Sequence, residues 1–567
     1  MIVHWGLIWR VEKLEQKVDD LMSLLKGGQQ LSGGITQQSR PVSQEPAESP
    51  FPSIAPRPPS LAPMDNVSVH ASSECIDIVP GFRLTFEEAD GALNVYQSLY
   101  TPYFPFVPVP VTMTANEMHE RTPFLLRAIL LVTVSQSLSI QKAAQLWFRQ
   151  QIAQRVVVDQ ERRLELLQAI LVFVAWWVYS SKLTYLLQLA GVIVVDLGLD
   201  KSPDSLGSSR LSFVPTAIRK VKGFIREGHA PDDRRAMLGC FYLNSVVGTL
   251  FRRTRSLVYT YTPYLTYCCD KLLEIQEYDS DKFLVVLVRI QQLVMRVSDA
   301  LPSPELNDNA GNSLDAPLHM IMATARNQLD ALVQNQPPKV GCNVLLWVHY
   351  YGALMRLYEP AIHMRSSGSS SGPLGSIRRT EALWACLQAA RDFFTTYTTI
   401  PLDIISSMPL VATAYMSFAV VTSSMILLLD DSDWDIHLAR KSFDFAAACQ
   451  SLGDRFREGD QVAQSLGRRQ KFEENGKSVL DAYHMKIMWI RHWYISKIST
   501  VLPGGTTMDS RPLSSTTAGS TSQPMDVDQH QHQQLPLEDP SLFPPINLDE
   551  EFWRAILDND GPSQWAA

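Results

Sequence analysis

Between residues 232 and 255 the chain reads Asp-Asp-Arg-Arg-Ala-Met-Leu-Gly-Cys-Phe-Tyr-Leu-Asn-Ser-Val-Val-Gly-Thr-Leu-Phe-Arg-Arg-Thr-Arg. Ala236, Cys240, Leu243, Val247 and Leu250 recur at alternating steps of four and three, which sets them in one stripe of a helix. Met237, Phe241 and Phe251 widen the stripe until little of the circumference is polar, the pattern of a helix buried on most sides. Acids at its start and bases at its end suit the helix dipole, and Asp232 or Asp233 is the expected N-cap. Gly239, Ser245 and Gly248 lower helix propensity, and their small side chains let other elements approach closely. The stretch predicts the central helix of a large all-α domain.

The rest of that domain is read the same way. Helical periodicity predicts elements over about 85–100, 144–158, 162–179, 183–197, 281–300, 316–334, 345–364, 377–397, 409–429, 436–452 and 477–499. Thr114-Ala115-Asn116-Glu117 predicts a capping box, Thr122-Pro123 and Thr262-Pro263 predict helix starts with proline at the first position, and Gly198 predicts a stop. The proline-punctuated run Tyr103 to Val111 predicts an extended hydrophobic strap. No strand alternation of any length stands out, and there is no fixed repeat of the kind a solenoid needs.

At the two ends the pattern changes. Leu7, Val11, Leu14, Val18, Leu21 and Leu25 form a heptad seam, with valine at a and leucine at d, which favours a parallel two-stranded coiled coil and hence a homodimer. A lone amphipathic helix docked on the domain is the alternative. At the other end Leu548, Phe552, Trp553, Ile556 and Leu557 fall on one face of a short acidic helix. Such a segment is marginal alone in water and suits folding into a partner's groove, as an activation segment does with a co-activator; docking back on its own domain is the alternative. The expected organisation is a coiled-coil helix at 1–26, a Gln/Ser/Pro-rich disordered linker at 27–80, and the helical domain at 81–500. A disordered Ser/Thr/Gln/Pro-rich spacer follows at 501–545, then the acidic-aromatic segment at 546–567.

Charge and cysteine usage narrow the class. A net charge of −8 argues against coating nucleic acid by charge alone. Seven scattered cysteines, mostly in apolar runs, fit a reducing compartment. The most apolar region, 164–195, is interrupted by Glu165, Gln168, the Ser180-Ser181-Lys182 turn and Gln188, so no membrane span is expected there.

The central stretch, continued by Tyr261 to Leu265 and Cys268-Cys269, resembles the middle homology region of fungal zinc-cluster (Zn2Cys6) transcription factors, most of all the secreted-protease-activator type. Leu186 to Leu189 and Val195 to Asp200 resemble that region's other recurrent stretch. The likeness covers most of 80–500 and rests on helix-packing patterns rather than chemistry. It implies a nuclear regulator of transcription that contacts DNA by family, works through co-activators and is not an enzyme. In that family a six-cysteine cluster holding two zinc ions precedes the coiled coil. Here the nine residues before the heptads hold no cysteine, so no residue is assigned as a zinc ligand and no cofactor is expected in this chain. A dimerising co-regulator that does not itself bind DNA, and a helical enzyme or ligand-binding protein, are the competing classes.

Enzyme signatures give one formal match, Gly368-Ser369-Ser370-Ser371-Gly372, which lacks the strand and helix of a nucleophile elbow. Adjacent Cys268-Cys269 is not a zinc spacing. Arg252, Arg253 and Arg255 admit two readings: capture of an anionic effector, or neutralisation of carbonyls at a helix end. Arg468-Arg469-Gln470-Lys471 admits two readings as well: a solvated charge run, or an aid to nuclear import.

Overall fold

The computed structural model describes residues 75–176, 183–202, 228–251, 261–300, 316–364, 373–469 and 477–500. The heptad seam, the C-terminal segment, the Gly-Ser-rich match and Arg252, Arg253 and Arg255 lie outside the described residues.

The described chain opens with an antiparallel hairpin, β1 Cys75–Val79 and β2 Phe82–Thr85. It starts within the stretch expected as linker. Ile76 and Ile78 alternate inward, Phe82 answers them from β2, and Gly81 takes the positive φ of the turn. This alternation is too short to stand out from the sequence, yet it buries enough to belong to the domain. Thr85 then caps α1, Phe86–Val95, in a capping box with Glu88.

The widened turn Tyr96–Tyr100 ends α1 and points both tyrosines into the core. The strap expected to be extended begins in turns over 101–106 and buries most of its apolar residues: Phe104, Phe106 and Val107 are sealed from solvent, Val111 is exposed, and the Tyr96 hydroxyl donates to the Val107 carbonyl at 2.9 Å. The predicted capping box of Thr114 and Glu117 opens α2, Ala115–Arg121, and Pro123 takes the first position of α3, Pro123–Thr133. α4, Leu138–Ile152, runs into a second widened turn, Ala153–Val158, and α5 and α6 span Leu164–Trp176 and Leu183–Asp196. Gly198, at φ 68°, closes α6 where a stop was expected.

The central helix is α7, Pro231–Phe251. It packs against α5, α6, α8 (Pro263–Ile275), α9 (Asp281–Ala300) and α13 (Leu410–Leu427), so its position at the centre is met. Its start differs from expectation. Pro231 is the first helical residue, and Asp233 reaches back to accept from the Ala230 N–H at 3.0 Å, while Asp232 turns to Arg235. Proline has no N–H to satisfy and a fixed φ, so the helix begins ahead of the aspartates. Of the small residues, Gly239 carries the close approach: a Cβ there would lie 2.7 Å from the Phe106 Cβ and 3.2 Å from Leu171 Cδ1. The strap therefore presses on bare backbone at this point. Gly248 is half-buried.

α10, Ala316–Gln334, lies on α9, and α11, Val344–Tyr358, pairs along its length with α12, Pro373–Thr398. The helix expected to reach 364 stops at Tyr358, and Pro360 starts a separate turn, Pro360–His363, because proline lacks the donor to continue the ladder. The single helix expected over 436–452 is two, α14 Ile436–Ser442 and α15 Phe445–Ser465, because Asp444 caps the second by accepting from the Ala447 N–H. α16, Val479–Thr500, packs against α15. Among the described residues the helix long and apolar enough to cross a membrane is α13, not the 164–195 region. α13 is mostly buried between α7, α11 and α12, which accounts for its composition as a core helix.

Candidate functional site

Two features offer sites in the described fold: a polar network sealed beneath α7, and concave surfaces between helices on its periphery.

The network joins α7, α9, α11 and α13. His349 is fully buried; its Nδ1 lies 2.7 Å from the Leu345 carbonyl, which can only accept, so Nδ1 carries the proton. Nε2 is then the acceptor for the Tyr242 hydroxyl at 2.6 Å. The Tyr242 ring stacks between His349 and Phe106, and Tyr415 meets His349 edge-on. Gln291 donates to the Tyr415 hydroxyl at 2.7 Å and faces Ser245 across 3.4 Å. Each group satisfies a neighbour that has no access to water, and so the network fixes how four helices meet.

Burial pushes the His349 imidazole down to about 4, opposed by its bond to Leu345. The folded value lies below the unfolded one, so the stabilisation is whole above about pH 6.5 and is lost as pH falls toward 4. The expected result is a fall of about 3 kcal/mol in unfolding free energy between pH 7 and pH 4 from this residue alone. Urea titrations of the protein and of His349→Gln across that range check it: the two pH profiles should converge in acid, and parallel profiles would contradict the assignment.

No solute reaches this network, since His349, Tyr242, Gln291 and Tyr415 are each 1% exposed or less, so its polar groups serve packing. The buried thiols are equally inaccessible. Cys240, Cys268, Cys269, Cys386 and Cys449 are buried, and burial pushes Cys268 up to about 11 and Cys269 up to about 12, so neither is a thiolate at neutral pH. No group of His, Cys, Asp and Glu suited to a metal ion occurs among the described residues.

The periphery carries concave surfaces. A groove of about 200 Å³ lies between α9 and α10, walled by Leu293, Val297, Met320, Ile321 and Ala325, with Arg296 and Gln328 on its rim. Its walls are mainly apolar. A smaller cleft of about 40 Å³ sits where α5, α12, α15 and α16 converge. Trp176, Tyr397, Phe456 and Tyr483 wall it, with Asp460 and Arg469 as its polar edge. Arg469 is held there, Nε to Asp460 at 2.9 Å and Nη2 to Asp481 at 2.7 Å, while its carbonyl accepts from Ser135. This residue is an ion-paired strut, in contrast to the solvated run expected at 468–471. Its sequence signal was the acid nine residues earlier, which becomes a partner only once α15 turns back.

A family model for the WAR1 C-terminal domain matches residues 61–430. Similar proteins include transcription factor himD of Aspergillus japonicus, 26% identical over 397 residues, covering 69% of this chain and 60% of that protein. Transcription factor opdL of Penicillium oxalicum is 26% identical over 468 residues, covering 81% of this chain and 76% of its own length. Transcriptional regulator WAR1 of Candida albicans is 22% identical over 307 residues, 52% of this chain and 31% of that protein. The chain thus spans less than two thirds of himD and about a third of WAR1. No solved structure matches.

Proposed function

This chain belongs to the WAR1 C-terminal domain family, and from that membership we propose that it is a fungal nuclear regulator of RNA polymerase II transcription, of the zinc-cluster type. The observation that carries the reading is the family match over 61–430, joined to relatives that bear the names of transcription factors. The geometry is compatible with it in one respect: the network of Tyr242, His349, Gln291 and Tyr415 is closed on itself beneath α7, so it serves to hold helices together. In this reading the helical domain regulates, and the seam of Leu7, Val11, Leu14, Val18, Leu21 and Leu25 makes a homodimer. Zinc and DNA are engaged by a cluster joined to that seam or brought by a dimer partner. Leu548, Phe552, Trp553, Ile556 and Leu557 recruit co-activators, and the genes controlled are metabolic or secreted-protease genes.

The test is a fusion of the whole chain to a heterologous DNA-binding domain upstream of a reporter. The expected result is activation that collapses in the Phe552→Ala, Trp553→Ala double variant. An expressed, nuclear fusion that leaves the reporter at its baseline would overturn the activator reading. Activation untouched by the double variant would move the activity out of the C-terminal segment.

A further inference from the structure

We infer that Arg127 and Arg155 form a binding site for a phosphate-class dianion on the surface shared by α3, α4 and the widened turn that follows α4. The Arg127 guanidinium lies over the Trp147 ring, 5.8 Å from its centroid, and the Arg155 guanidinium lies over Phe124 at 5.1 Å. The two rings are themselves neighbours, 5.9 Å apart. Two cations are thus laid side by side on one aromatic floor, which orients a planar guanidinium without using its N–H donors.

The Arg127 Nε is shut off from solvent and makes no hydrogen bond. The acids around it are already engaged. Asp77 is bonded to Arg83 across the hairpin. Glu165 accepts the Phe124 N–H at 2.5 Å and the Leu125 N–H at 3.3 Å with one oxygen, while its other oxygen is ion-paired with Arg163 at 2.9 Å but makes no hydrogen bond. Asp159 holds Gln154. Glu161 reaches Arg155 only at 3.8 Å, beyond hydrogen-bond range. Burial, followed by the positive charge of Arg155, lowers the hold of Arg127 on its proton, while Asp77 and Glu165 act the other way. A buried donor left without a partner is costly, and two adjacent cations repel. One anion with two negative charges and several acceptor oxygens relieves both at once, whereas a monoanion neutralises only one.

The backbone favours the same place. Arg155 is carried on the turn Ala153–Val158, whose i→i+5 hydrogen bonds widen the helix and swing the side chain over Phe124 instead of continuing the face of α4. The Asp159 N–H closes that turn on the Gln154 carbonyl at 2.8 Å. Arg155 keeps about a quarter of its side chain exposed, so a solute can reach it. The site would hold its anion whether or not the protein regulates transcription.

Isothermal titration of the full chain with inorganic phosphate, at ionic strength fixed with chloride, tests the site. Saturable binding is expected, weakened about tenfold or more in Arg127→Gln and in Arg155→Gln, and unchanged in Arg289→Gln, which removes a charge from an exposed ion pair on α9. Arg155→Gln lies on an accessible turn and decides the matter should Arg127→Gln fail to fold. Glucose 6-phosphate and an O-phosphoserine peptide present the dianion from a metabolite and from a protein, and the tighter of the two assigns the source. The proposal is overturned if phosphate gives no saturable heat, if both variants bind as the parent does, or if acetate binds as tightly as phosphate.

Discussion

Asp281→Ala is expected to lower the unfolding free energy of the helical domain by about 3–5 kcal/mol. Arg235 has no exposed side-chain surface, and neither has Asp281. The guanidinium donates from Nε and Nη2 to the two carboxylate oxygens at 2.7 and 2.9 Å, a bidentate pair that joins the first turns of α7 and α9. Asp232 and Glu277, both half-exposed, hold only Nη1, at 2.8 and 2.9 Å, and the Tyr278 ring covers the guanidinium at 4.6 Å. Without Asp281 the charge remains buried with two donors unmet, and water cannot reach them. Asp281 also accepts the Tyr278 N–H, so its loss frees a backbone donor as well. Urea unfolding followed by circular dichroism measures the effect. Arg235→Met with Asp281→Leu should restore most of the loss, because two apolar side chains leave no stranded charge. A loss below about 1 kcal/mol in the single variant would mean that water or the exposed acids replace Asp281.

The second large effect concerns glycine against alanine. Gly352 lies on α11 against the Tyr415 ring of α13, and a Cβ there would sit 2.5 Å from Cε1 and 3.0 Å from Cγ. The ring cannot withdraw: it is 1% exposed, its hydroxyl accepts from Gln291, and its edge rests on His349. Gly352→Ala is therefore expected to destabilise by about 1–3 kcal/mol, against a helix-propensity gain of up to about 1 kcal/mol. Gly91 is the counter-case. It is exposed on α1 with nothing within 4 Å of a Cβ, so Gly91→Ala should stabilise by about 0.5–1 kcal/mol. The same substitution with opposite signs, read from two melting curves, distinguishes contact from propensity; a matching sign would refute the close approach.

These sites mark where sequence reasoning reaches and where it stops. The α7 stripe was legible because helix burial is written in local spacing, and so were the Thr114 capping box and the bounds of α9 and α10. The start of α7 was not: Pro231 carries the same first-position proline signal as Pro123, but Ala230 is a poor N-cap and the two aspartates after it fit that role in the sequence. Partners separated by long stretches of chain were invisible. Nothing in the spacing of α7 points to α13, and His349 in an apolar helix signals only that some partner exists. The Tyr242 hydroxyl fills that role from 107 residues away. The expected site residues at 7–25, 252–255 and 548–557 fall outside the described residues, whereas Arg127 and Arg155 carry no local signal, because each meets its aromatic ring only through the fold. The resemblance to fungal transcription regulators, read over most of 80–500, agrees with the family match over 61–430 at the level of a fungal transcription regulator.

The contact between the Ser135 hydroxyl and the Arg469 carbonyl bears on where this domain can be cut. The family match ends at residue 430, yet α15 and α16 lie beyond it, and the Trp176 indole donates to the Ser407 carbonyl, whose segment rests on α15. Phe445 packs on Phe394, and Phe456 on Tyr397. A recombinant fragment trimmed to the match would expose that aromatic seam on α12 and strip the far wall from the cleft. Fragments carried through Thr500 keep the seam covered, so expression boundaries should follow the packing of α15 and α16 rather than the limits of sequence similarity.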